Sequence, residues 1–256
     1  MSIFEAVSLG IVQGLTEFFP VSSSGHLVLF QSLFGIEEPQ LAFDIFLHLG
    51  TLAAVVIFFS KDIIALFSAD RRKLFFIIIA SIPTFIIGAL FKDIVEEFFS
   101  APVIVAYMLL VTGLWLIFAH ISTSRARPDD TKPLGIFNSL MVGIAQGVAV
   151  MPGISRSGST IGTGIILGMD REEACRFSFL LSIPAVAGAS VVKGHKIISS
   201  LFGPDTLLFI AGGLAAMITG FFSIKVLLKV IRGSSLAWFG AYCILIGSFL
   251  LIALTR

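Results

Sequence analysis

Charge is scarce in this sequence of 256 residues. Lys, Arg, Asp and Glu make up 13% of it, against roughly 25% in an ordinary globular chain. The 17 basic and 16 acidic residues leave a net charge of +1, which excludes the basic footprint of a nucleic-acid binder. Tyrosine and tryptophan are nearly missing, two of each, against 26 phenylalanines. Lipid-facing helices accept that balance; a water-facing surface does not. The two cysteines, Cys175 and Cys243, lie in or beside apolar segments without metal-site spacing, and read as packing residues. No Gly-rich nucleotide loop, HExxH or GxSxG is present, so ATP-driven and common hydrolase chemistries lose support. The N-terminus lacks the basic start of a signal peptide and is expected to belong to the mature fold.

What the sequence has is apolar length. Hydrophobic residues make up 57% of it, and the mean hydropathy is +1.03. This predicts an all-α polytopic membrane protein. About 20 apolar residues cross a bilayer, and six stretches suffice, near 41–60, 74–91, 101–120, 174–193, 205–224 and 235–254. Two further regions, 2–36 and 134–168, are apolar but broken by Pro20-Val21-Ser22-Ser23-Ser24-Gly25 and by Pro152-Gly153-Ile154-Ser155-Arg156-Ser157-Gly158. Each half of such a region is too short to span. A re-entrant helix–loop–helix hairpin fits better, because non-helical backbone at membrane depth survives only inside protein or along a cavity.

The broken regions match at an offset of 133. Between 10 and 25, seven of sixteen positions are identical: Gly10, Ile11, Gln13, Gly14, Ser22, Ser24 and Gly25. One hairpin followed by three spans is an odd number of crossings, so the second copy is expected to be inverted relative to the first. The chain then reads as one integral membrane domain, 1–256. Its inverted repeats, 1–120 and 134–256, are joined by a cytoplasmic linker, 121–133. The positive-inside rule orients it. With the first hairpin's mouth outside, the cytoplasmic loops hold twelve basic residues: Lys61, Arg71, Arg72, Lys73, Arg125, Arg127, Lys132, Arg171, Arg176, Lys225, Lys229 and Arg232. The external segments hold Lys92, Lys193, Lys196 and Arg256. Acidic Glu37-Glu38 and the Asp93, Glu96, Glu97 loop also fall outside.

Ionisable residues at membrane depth cost roughly 2.5–3.5 kcal/mol each on insertion scales and mark function. Here they are Glu17, His26, Asp44, His48 and Arg156, with Gln13 and Gln146 as uncharged companions. Gln13 and Glu17, four apart, share a helix face. Gly10 and Gly14 allow close helix approach. Ser22, Ser23, Ser24 and Gly25 start a second short helix, and free N–H groups and hydroxyls at a helix start cradle an anion. His26 sits in the first turn, where it can exchange protons with a bound group. Ser155, Ser157, Gly158 and Thr160 build the same cradle in the second copy, with Arg156 added. An intramembrane Arg needs an acid or a bound phosphate as partner, and its fork suits phosphate. Where the copies differ, Glu17 faces Val150, Ser23 faces Arg156 and His26 faces Ser159. The first copy thus supplies acid, hydroxyl and imidazole, and the second supplies the cation. Asp44 and His48, four apart, are candidates to complete the pocket or steady Glu17 and His26, whereas His120 and His195 lie at helix ends. The architecture alone would also suit a secondary transporter or lipid flippase; the clustered reactive groups favour an enzyme. A non-catalytic scaffold needs no buried charge.

At these residues the sequence resembles the undecaprenyl-diphosphate phosphatase family, the bacitracin-resistance membrane proteins. The family's E/Q-x-x-x-E motif stands as Gln13-Gly14-Leu15-Thr16-Glu17, followed by Pro20-Val21-Ser22-Ser23-Ser24-Gly25-His26. Its P-G-x-S-R-S-x-x-T motif stands as Pro152 to Thr160. The likeness extends to Phe43-Asp44 and His48-Leu49-Gly50-Thr51. Gln13 in place of Glu leaves one fewer carboxylate for metal or proton work. The resemblance implies hydrolysis of undecaprenyl diphosphate to the monophosphate carrier lipid reused in cell-wall synthesis, with bacitracin resistance. It implies a divalent cation, Mg²⁺ or Ca²⁺, and a multi-pass protein of the bacterial inner membrane whose site opens to the periplasmic face; Glu17 is a candidate either to bind that cation or to serve as base. The essential acid, serine, histidine and arginine carry over to Glu17, Ser23, His26 and Arg156, with the flanking serines as phosphate contacts. The partners implied are a polyprenyl diphosphate and membrane lipid; apolar helix faces suit lipid or a second copy of the chain equally.

Overall fold

The computed structural model describes residues 1–36, 40–99, 101–123, 131–192, 204–233 and 235–254. Glu37, Glu38, Ser100, Arg125, Arg127, Lys193, His195, Lys196 and Arg256 lie outside them, as does most of the expected linker. Among the described residues every regular element is a helix. They are α1 (Ile3–Thr16), α2 (Ser23–Leu33), α3 (Leu41–Phe58), α4 (Ser60–Phe67), α5 (Arg71–Leu90), α6 (Lys92–Phe99), α7 (Pro102–Thr123), α8 (Ile136–Val148), α9 (Arg156–Ile166), α10 (Arg171–Val192), α11 (Thr206–Val230) and α12 (Leu236–Leu254). Six of them, α3, α5, α7, α10, α11 and α12, are long and apolar enough to cross a membrane. The protein is a multi-pass membrane protein.

The ends of the spans differ from expectation for physical reasons. α11 runs six residues beyond 224 because its buried face continues through Ile224 and Leu227, while Lys225 and Lys229 stay off that face. α5 starts at Arg71 because the Asp70 carboxylate accepts from the Lys73 N–H at 3.1 Å and caps it. α10 starts at Arg171, where Asp170 accepts from the Glu172 and Glu173 N–H groups at 2.9 and 3.1 Å. The 41–60 segment breaks at Phe59, and the short α4 follows; α6 is a second short helix that hydropathy alone did not reveal.

α1 packs along α11, and α8 along α5. The shared glycines explain both crossings. A Cβ on Gly10 would collide with the Gly212 carbonyl oxygen, and one on Gly14 would stand 2.6 Å from the Ala216 carbonyl oxygen. In the second copy, a Cβ on Gly143 would collide with the Ala80 carbonyl oxygen, and one on Gly147 would meet Ile87. Small residues let backbones touch where lipid offers helices no hydrophobic drive to associate. α3 also meets α10, and α7 meets α12. Phe18, Phe59, Phe177 and Phe179 are fully buried in the centre, with Phe18 and Phe179 edge to face at 5.3 Å. Phe85, Phe118, Phe222 and Trp238 face outward. Cys175 and Cys243 are buried free thiols.

Candidate functional site

Glu17 caps the C-terminus of α1, and four groups converge on its buried carboxylate. Arg156 Nη2 donates to Oε1 at 2.6 Å. Ser23 Oγ donates to Oε2 at 2.6 Å, and Gln13 Nε2 to the same oxygen at 3.0 Å. His48 Nε2 stands 3.5 Å from Oε2. The acid of α1, the first hydroxyl of α2 and the first residue of α9 therefore meet at one point. A carboxylate beside a serine hydroxyl is an arrangement that can activate the hydroxyl as a nucleophile. A guanidinium on the other oxygen makes a charge-assisted hydrogen bond to that carboxylate.

The serines build the two helix starts. Ser22 Oγ accepts from Gly25 N–H at 3.2 Å and lies 3.3 Å from Ser24 Oγ. Ser155 Oγ accepts from Gly158 N–H at 3.0 Å and lies 3.2 Å from Ser157 Oγ. Both capped helices present first-turn N–H groups, which have no intrahelical acceptor. The copies are then stitched together. Ser24 Oγ accepts from Gly153 N–H at 3.0 Å. The matching bond cannot form, because Gly153 corresponds to Pro20, which has no N–H; Ser157 instead donates to the Phe19 carbonyl at 2.8 Å. Thr160 Oγ1 bonds the Arg156 carbonyl at 2.8 Å and Ser178 Oγ at 2.6 Å.

Ser22 has φ 66°, alone among the described non-glycine residues in the left-handed region. Such backbone costs about 1–3 kcal/mol and persists where surroundings over-determine it. Here it presents the Ser22 carbonyl to His26 Nδ1, which donates to it at 2.7 Å.

Other candidate residues have side-chain partners outside the Glu17 cluster. His26 does not bond Glu17; its Nε2 is 2.8 Å from the Tyr242 hydroxyl. Asp44 does not reach His26 or Glu17, since its carboxylate accepts from Gln31 Nε2 at 2.8 Å and ties α3 to α2. Its carbonyl takes His48 Nδ1 at 2.8 Å, which aims His48 at Glu17. Gln146 bonds Thr84 Oγ1 and the Leu181 carbonyl, both at 3.4 Å, away from the cluster. Tyr242, Thr112, Gln31 and Ser178 were not foreseen. Thr112 accepts from Ser155 N–H at 3.0 Å and donates to the Gly153 carbonyl at 3.1 Å, fixing the second break. Tyr242, one of two tyrosines and set in an apolar span, was the one with a readable signal.

Among the described residues no group of three or more His, Cys, Asp or Glu could hold a metal ion by itself. Glu17 is itself paired with Arg156. Mg²⁺ is commonly held through one or two carboxylates with substrate phosphates completing the shell. The residues fit that arrangement: Gln13 Oε1, next to Glu17, is buried and accepts no hydrogen bond among the described residues.

The helices and this cluster define a polytopic membrane protein built around a buried acid, serine and arginine. The sequence model of bacitracin resistance protein BacA matches residues 6–249. The chain belongs to that family. It is 44% identical to the undecaprenyl-diphosphatase of Halothermothrix orenii, over 98% of both chains, and 44% identical to that of Desulfatibacillum aliphaticivorans, over 99% of both. The undecaprenyl-diphosphatase of Methanosphaera stadtmanae is 43% identical over 98% of both chains.

Proposed function

We propose that this chain is an undecaprenyl-diphosphate phosphatase that returns the carrier lipid as its monophosphate and thereby confers bacitracin resistance. The observation that carries the reading is the Glu17 carboxylate bonded at once to Ser23 Oγ and Arg156 Nη2, both at 2.6 Å. A lipid diphosphate offers an anionic head for the starts of α2 and α9 and a tail for the lipid.

Ser23 Oγ attacks the terminal phosphorus while its proton passes to Glu17 Oε2. The bridging P–O bond breaks, and the leaving phosphate takes a proton from the His26 side of the site. Water then hydrolyses the phosphoserine and frees inorganic phosphate. Arg156 has five N–H donors, of which Glu17 and the Ser178 carbonyl engage two among the described residues. The rest are available to the transferring phosphoryl group. Glu17 and Gln13 would hold Mg²⁺ or Ca²⁺, which when bound neutralises diphosphate charge.

The matching breaks and the crossed packing of α1 on α11 and α8 on α5 support two re-entrant hairpins in an inverted repeat. The twelve-to-four basic asymmetry supports a site opening to the outer face of a bacterial inner membrane.

The test is phosphate release from undecaprenyl diphosphate by the purified protein in detergent, with Glu17→Gln as control. Release should be abolished in the variant and in excess chelator. Wild-type release no greater than that of the variant would overturn the phosphatase reading. Full activity in chelator would remove the metal.

A further inference from the structure

His26 is 3% exposed on α2, and both its ring nitrogens are taken. Nδ1 faces the Ser22 carbonyl, which only accepts, so Nδ1 carries a hydrogen. Nε2 faces the Tyr242 hydroxyl at 2.8 Å. The two rings lie parallel, 4° apart, with centroids at 5.6 Å. Any proton leaving the buried imidazole through Nε2 meets Tyr242 first.

Tyr242 belongs to the outward stripe of α12, with Trp238, Leu245, Phe249 and Ile252, and is 42% exposed. Glu17, Ser23 and Arg156 lie inward. A lipid diphosphate has the same polarity. Its terminal phosphate goes to the inward cluster, while its other phosphate carries the tail and stays on the lipid side. That second phosphate is the leaving group, so its proton donor is needed on the lipid side.

We propose that Tyr242 is a catalytic residue, the relay through which His26 protonates the leaving phosphate. The inference rests on the phosphatase reading above. As the bridging P–O bond breaks, the Tyr242 O–H proton passes to the bridging oxygen, and the His26 Nε2 proton passes to the Tyr242 oxygen. The tyrosine ends as it began, and the imidazolium ends neutral with its hydrogen on Nδ1. Solvent recharges His26 through the same hydroxyl between turnovers. Glu17 and His26 thereby divide the work, the first taking the nucleophile's proton and the second supplying the leaving group's.

Tyr242→Phe keeps the stacked ring and removes the relay. A positioned acid contributes about 10²- to 10⁴-fold. With undecaprenyl diphosphate, Tyr242→Phe and His26→Ala should each lower kcat at least about 100-fold, and the double variant should be no slower than His26→Ala. Tyr242→Phe within threefold of wild type, or losses that multiply in the double variant, would overturn the proposal. A second measurement needs no turnover: carbethoxylation of His26 by diethylpyrocarbonate, followed by peptide mapping. Removing the hydroxyl should speed it severalfold, and an unchanged rate would show that Tyr242 does not cover Nε2. If the wild type releases no phosphate, the phosphatase reading fails, while the modification rates still report on the His26–Tyr242 pair.

Discussion

Replacing Arg156 by lysine keeps one positive charge at the start of α9 and removes the planar fork. In the structure that fork reaches the Glu17 carboxylate at 2.6 Å and the Ser178 carbonyl at 3.4 Å, with further N–H groups left over. One ammonium cannot hold the carboxylate and clamp a phosphoryl group in the same geometry. A hydrogen bond to a charged group is worth about 1.5–3 kcal/mol, so kcat/KM should fall roughly 10- to 150-fold. Arg156→Ala goes further and strands Glu17, whose side chain is only 6% exposed. Removing one partner of a buried pair costs about 3–5 kcal/mol, and the variant should unfold at markedly lower temperature. Adding Glu17→Gln removes the stranded charge. The double variant should then recover part of the lost stability while remaining inactive. The assays are phosphate release and thermal unfolding in one detergent. Arg156→Lys with turnover within twofold of wild type and unchanged unfolding would refute the fork argument.

The serines of α2 should separate. Ser22→Ala uncaps the helix and Ser24→Ala frees Gly153 N–H, each costing about 0.5–2 kcal/mol and a modest part of turnover. Ser23→Ala should nearly abolish phosphate release, and equal, mild losses at all three would pass the attack to water. For topology, single cysteines at Asp93 and Thr131, in a chain lacking Cys175 and Cys243, can be probed on intact cells with an impermeant thiol reagent. Position 93 should label and 131 should not; the reverse would invert the orientation. Gly143→Ala puts a methyl group against the Ala80 carbonyl oxygen and should lower stability by about 1–3 kcal/mol, with no change in unfolding temperature counting against a tight α5–α8 crossing.

The cluster at Glu17 was legible in the sequence because its members other than His48 lie within two short motifs. Gln13, Glu17 and Ser23 are separated by one helical turn and one break, and Arg156 occupies the place of Ser23 in the second copy. Repeat matching thus carried information across more than a hundred residues. It carried none for Tyr242, which lies 216 residues from its partner His26 and outside either motif. The side-chain partner of Asp44 was hidden for a related reason. Periodicity placed Asp44 on the face of His48, but its own side chain is satisfied by Gln31, a partner that no spacing rule reveals. The shared glycines were legible as sites of close approach, while the helices they approach were not. α4 and α6 escaped notice because eight-residue amphipathic helices give no long hydropathy signal.

The lodging of α1 against α11 also fixes a timetable for the chain's birth. α1 begins at Ile3, and its groove is lined by Gly212 and Ala216, about two hundred residues later. At synthesis rates of about 5–20 residues per second, roughly 10–40 s pass before that groove exists. Until then Gly10 and Gly14 have nothing to close upon, and the acid at the end of α1 lacks the arginine of α9 for most of that interval. The nascent α1 and α2 must wait for these partners. The Glu17 cluster therefore closes only once α9 has emerged, and the seat of α1 closes later still.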